Sequence, residues 1–92
     1  MANPVARKGD LDSLGYSIST EVSENVRVNG IPVAMKGSLM NDGIAIVSEV
    51  SNTVKVNGRY VALMGSTTEY HPNDPKGVAT IIQGSENVRV GK

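Results

Sequence analysis

Val, Ile and Ala recur at every second position in short runs along this chain, with Ser, Asn, Lys and Arg between them, as in Val26-Arg27-Val28 and Val54-Lys55-Val56. Such alternation sends successive side chains to opposite faces and predicts half-buried β-strands. No window repeats apolar residues at helical spacing, and β-branched residues dominate the apolar set. The predicted class is all-β. Strands are expected over residues 16–22, 44–50 and 78–83, opened by Gly15, Gly43 and Gly77. Hairpins are expected after the first two, because Asn29-Gly30 and Asn57-Gly58 separate alternating runs, the strongest short-range sign of a two-residue type I′ turn. On these hairpins, and on the run ending the chain, the pairs Val26/Val28, Val54/Val56 and Val88/Val90 are expected to face the core. Arg27, Lys55 and Arg89 then face the other way.

The runs belong to an internal repeat. Ser23-Glu24-Asn25-Val26-Arg27-Val28-Asn29-Gly30 leads into Ile31-Pro32-Val33-Ala34-Met35-Lys36-Gly37-Ser38. The pattern returns 28 residues on, as Ser51-Asn52-Thr53-Val54-Lys55-Val56-Asn57-Gly58 followed by Arg59-Tyr60-Val61-Ala62-Leu63-Met64-Gly65-Ser66. A third copy starts at Ser85 and stops at Lys92, and its missing half stands at the other end as Pro4-Val5-Ala6-Arg7-Lys8-Gly9-Asp10. A split repeat requires the ends to meet, so the strand around residues 5–7 is expected to pair with that around 88–90. Closure gives a small pseudo-three-fold β body without exposed sheet edges. The joining segments 11–14, 39–42 and 67–76 are expected at one end of it. Eight of the ten glycines fall at repeat-equivalent positions, which points to turns or bulges with positive φ.

Composition limits what such a body can do. Ninety-two residues support a single domain spanning 1–92, and 39% hydrophobic residues with 3% aromatics and no Phe or Trp make its core thin. A formal net charge of +0 removes the basis for non-specific nucleic-acid binding, and the lack of Cys removes disulfides and thiolate metal sites. The first ten residues hold no apolar run of the kind a secretory signal peptide needs, so synthesis in a cytoplasm without such a signal is expected. Ile44-Ala45-Ile46-Val47 is far shorter than the roughly 20 residues of a membrane helix. Nothing but the split repeat flanks the body, so no fused effector domain is expected.

Pro4-Val5-Ala6-Arg7 and Pro32-Val33-Ala34-Met35, each next to an Asn-Val-x-Val type strand, resemble the signature of the PAAR-repeat proteins. These form the pointed tips of spikes in contractile phage tails and type VI secretion. The resemblance spans essentially the whole chain. It implies a cone whose triangular base docks, one copy per trimer, on a homotrimeric β-helical spike, and whose point first meets the target cell envelope. The short, unfused, metal-poor form leans towards a virion, at the baseplate of a phage tail. The family commonly holds an apical zinc through three His and one Cys. Here only His71 is present, so no zinc or other cofactor is expected, although Asp12, Asp42 and Asp74 are the carboxylates that a mixed divalent-metal site with His71 would use. The favoured expectation is an apolar plug of Leu11, Leu14, Leu39, Met40 and Tyr70 beneath the tip, beside His71.

Two surfaces are candidates for the spike. The repeat-equivalent cations Arg27, Lys55 and Arg89 suit three identical acidic groups on a trimer. Ser19, Val47 and Ile81 alternate away from the expected core residues Ile18, Ile46 and Thr80, and would leave an apolar face to cover. Ser66, His71 and Asp74 lie close in sequence, but no oxyanion-hole motif accompanies them and Ser66 repeats Ser38 and Asp10, so no enzymatic activity or small-molecule substrate is expected. The alternative function is a three-fold carbohydrate-binding module, disfavoured because Tyr16, Tyr60 and Tyr70 are not repeat-equivalent and so offer no repeated aromatic platform.

Overall fold

Both Asn-Gly pairs turn as their sequence requires, with φ of 57° and 75° at Asn29 and Gly30 and of 55° and 82° at Asn57 and Gly58. Positive φ at both central residues is the type I′ geometry, whose twist matches that of the flanking strands. The computed structural model describes residues 2–72 and 77–91. In chain order its strands are β1 (Ala2–Pro4), β2 (Ile18–Thr20), β3 (Arg27–Val28), β4 (Ile31–Pro32), β5 (Leu39–Met40), β6 (Ile46–Ser48), β7 (Lys55–Val56), β8 (Arg59–Tyr60), β9 (Thr67–Thr68) and β10 (Arg89–Gly91). The fold is all-β, built from short antiparallel pairs, with no helix among the described residues. All eight repeat-equivalent glycines have positive φ, as their fixed spacing predicts.

Hairpins β3–β4 and β7–β8 pair Arg27 with Pro32 and Lys55 with Tyr60. The two chain ends supply the third pair, β1–β10, in the same register, with Pro4 opposite Arg89. This pairing lies a few residues nearer the amino terminus than the sequence suggests, since residues 2–4 rather than 5–7 face β10. Val5 and Arg7 are used differently: they bridge to Leu63 and Val33, as Met35 bridges to Val61. Val5 still reaches the approach to β10, its amide donating to the Val88 carbonyl at 3.0 Å and its carbonyl accepting from the Ser85 amide at 2.8 Å.

Inside, the alanines of the repeat bond to one another in a closed cycle. Ala6 donates its N–H to the Ala62 carbonyl, Ala62 to Ala34, and Ala34 to Ala6, each at 3.0 Å. A methyl group is what lets three backbones cross this closely. All three alanines are fully buried and share a core with Ile18, Met40, Ile46 and Ile81. Their neighbours Val5, Val33 and Val61 point the opposite way, as adjacent residues of extended chain must, and form a second core with Leu63. Val28, Val54, Val56 and Val90 of the hairpin runs pack on that second core. Val26 and Val88 do not: they are 38% and 36% exposed, which corrects the expectation that all six hairpin valines are core.

A second correction concerns residues 78–83. The expected inward residue Thr80 is exposed, whereas Ile81 is 1% exposed and Ile82 is 50% exposed. Ile81 donates its N–H to the Ser66 carbonyl as Ile18 does to Asp10 and Ile46 to Ser38. Gly77 precedes its inward isoleucine by one residue more than Gly15 and Gly43 precede theirs. A slip of one position sends every following side chain to the other face.

Candidate functional site

The hairpin strands carry the repeated cations. Arg27, Lys55 and Arg89 are all exposed, and the valines on either side of each point to the other face of the strand. Arg27 donates to the Gly30 carbonyl at 3.1 Å, and the Lys55 ammonium lies 4.7 Å from the centre of the Tyr60 ring. Both contacts hold the cation over its own hairpin at little energetic cost. On the opposite face of the same strands, Val26 and Val88 stand open beside the half-buried Val28, Val54, Val56 and Val90.

The Ser19–Val47–Ile81 face is not assembled as expected. Ile81 is in the core, while Ser19 and Val47 are each half-buried. Val47 borders a shallow hollow shared with Lys36 and Tyr60, and the repeat-equivalent of Ser19 and Val47 is Ile82 rather than Ile81.

Beneath these strands each unit is pinned by small polar groups. The Ser23, Ser51 and Ser85 hydroxyls are buried and each accepts two backbone N–H groups, from the second and third residues onward. Ser38 accepts the Met35 N–H and donates to the Glu21 carbonyl; Ser66 does the same with Leu63 and Glu49. Asp10, at the equivalent place, accepts the Arg7 N–H but as a carboxylate has no proton to pass on. The Arg7 guanidinium fills that role, bonding Asp10 and reaching the Gly84 carbonyl at 3.5 Å.

One residue from each of the three joining segments, Asp12, Asp42 and His71, meets the others in the interior. The turn after Leu11 is closed by Asp12, whose Oδ1 accepts the N–H groups of Leu14 and Tyr16 at 2.9 and 3.0 Å. Asp12 occupies the repeat position of Met40 and, like it, is 1% exposed. The longer loop brings His71 into the interior, 0% exposed, its N–H held by the Gly77 carbonyl at 2.8 Å. Its Nε2 lies 3.1 Å from Asp12 Oδ2, and its Nδ1 contacts Asp42 Oδ2. Tyr16 stacks on the imidazole with centroids 4.2 Å apart and planes 10° from parallel. The apolar plug is therefore corrected. Met40 is buried and Leu11, Leu14 and Leu39 are half-buried, but Tyr70 is 59% exposed and the interior position belongs to His71, Tyr16 and a carboxylate. An Asp in a turn reads as a turn former, which is why its inward role was missed.

The arrangement leaves few open functional groups. Both ring nitrogens of His71 are engaged by carboxylates, so neither directs a lone pair at an open position, and the donor set does not fit the three-histidine, one-cysteine zinc site that the resemblance implies. No group of three or more His, Cys, Asp or Glu suited to a metal occurs among the described residues. Ser66 is bonded to backbone and His71 to Asp12 and Asp42; Asp74 lies outside the described residues. No buried side-chain nitrogen or oxygen of the described residues lacks a partner. Comparisons with protein-family models, with curated proteins and with solved structures give no match to this chain.

Proposed function

We propose that this chain is a non-enzymatic, single-domain spike tip: a pseudo-three-fold cone that caps a homotrimeric β-helical spike and leads it into a target cell envelope. The observation that carries the reading is the cycle of alanine hydrogen bonds from Ala6 to Ala62 to Ala34 and back. Three copies of one motif, the third assembled from both chain ends, present three similar hairpins at one end of a single polypeptide. A trimer ends in three identical strand edges, and a body of this kind covers all three at once. The function is mechanical: short cross-linked strands transmit axial load without a hinge, and no cofactor, nucleic acid or small-molecule substrate takes part. Its place is the tip of a tail baseplate spike in a virion, with type VI secretion as the related setting.

The base is assigned to the hairpin end, with Val26 and Val88 as apolar contacts and Arg27, Lys55 and Arg89 as flanking cations. Replacing both valines by Asp is expected to weaken binding to the spike trimer by about ten-fold or more, since two apolar contacts are lost and two charges meet an apolar surface. Lys36→Asp, on the side of the body, is expected to bind as wild type does. Both variants are to be checked for an unchanged melting transition, and equal affinity of the valine variant and wild type would remove this end as the base.

A further inference from the structure

We propose that Asp12, His71 and Asp42 form a proton-held clasp, which fastens the three joining segments while His71 carries hydrogen on both ring nitrogens and loosens them when one is lost. The inference stands apart from the spike-tip reading. It rests on counting protons. His71 makes two contacts with carboxylates, through Nε2 to Asp12 and through Nδ1 to Asp42. An ionised carboxylate only accepts, so two hydrogen bonds need two donors on the ring. With one proton gone, a nitrogen lone pair faces a carboxylate lone pair inside the body.

Solvent offers no easy remedy. The His71 and Asp12 side chains are 0% exposed, and that of Asp42 is 22% exposed. Among the described residues, the titratable groups facing the ring are these two carboxylates and the stacked Tyr16. Asp12 is fixed independently by the Leu14 and Tyr16 amides, so it is not free to swing away when the ring changes state. The element that yields is the segment carrying His71, together with the turn at Asp42. This body has no disulfide, and the clasp ties residues 59 and 29 positions apart where a covalent staple would otherwise serve.

The test follows ring ¹⁵N shifts and amide exchange in the intact chain. While the Asn41 and His71 amides are protected from exchange, both His71 nitrogens are expected to carry hydrogen, as in imidazolium. As base is added and one ring proton is lost, protection of those amides, corrected for intrinsic exchange, is expected to fall about ten-fold or more relative to Ala34 and Ala62. Asp42→Asn supplies an amide donor to Nδ1 while Nε2 still donates to Asp12, so its protection is expected to stay level over the same titration. A singly protonated ring in the protected state would overturn the clasp, as would equal falls in wild type and Asp42→Asn. Should the variant not fold, the wild-type ring shifts decide alone.

Discussion

Replacing Asp12 by alanine is expected to lower stability by about 3 kcal/mol or more. Three bonds are lost together. The Leu14 and Tyr16 amides lose their acceptor, and His71 is left buried with an unpaired ring nitrogen. Deleting one partner of a buried polar cluster costs more than the pair contributes, because the survivor keeps its desolvation penalty. Asp12→Asn retains an acceptor oxygen for the two amides and is expected to lose much less. Urea unfolding of the two variants checks this; an alanine variant within about 1 kcal/mol of wild type would mean that these groups find water or other partners.

Ala34→Leu is expected to abolish cooperative unfolding altogether. Ala34 is 0% exposed and stands in the alanine cycle, its N–H on Ala6 and its carbonyl on Ala62. Ile18, Met40, Ile46 and Ile81 already fill the space around it. Three extra carbons there must push apart backbones that are hydrogen-bonded at 3.0 Å. Overpacking of a well-filled core costs roughly 1–3 kcal/mol, and here the displaced atoms also carry the cycle, in a domain small enough to have little reserve. The control is Val78→Leu at a 57% exposed position, where the same enlargement should leave the transition unchanged. A cooperative transition for Ala34→Leu near that of wild type would show that the centre is looser than its contacts imply.

How much of this was legible depends on whether a residue obeyed the repeat. The hairpins were, because Asn-Gly admits few turns, and so was the meeting of the chain ends, because a split repeat has one way to be completed. The phase of residues 78–83 was not. Alignment on Gly77 puts Thr80 inward, and only tertiary bonding of Ile81 to Ser66 reveals the added residue. Likewise, the exposure of Val26 and Val88 follows from how few side chains remain to cover the hairpin valines, a property of the whole body rather than of any window. His71 and Asp12 escaped for the opposite reason. Each is polar and sits in a turn or loop, and local rules send such residues to solvent, whereas pairing makes their burial tolerable. The Arg7–Asp10 pair shows the same logic, since a cation completes what a serine hydroxyl does in the other two units.

The central claim is that one chain, closed on itself, matches the end of a trimer. Native mass spectrometry of the chain mixed with a β-helical spike trimer tests it most directly. The expected spectrum contains one copy of this chain for every three spike chains, with no species of higher occupancy as the chain is added in excess. Three copies per trimer, or no complex at all, would contradict it.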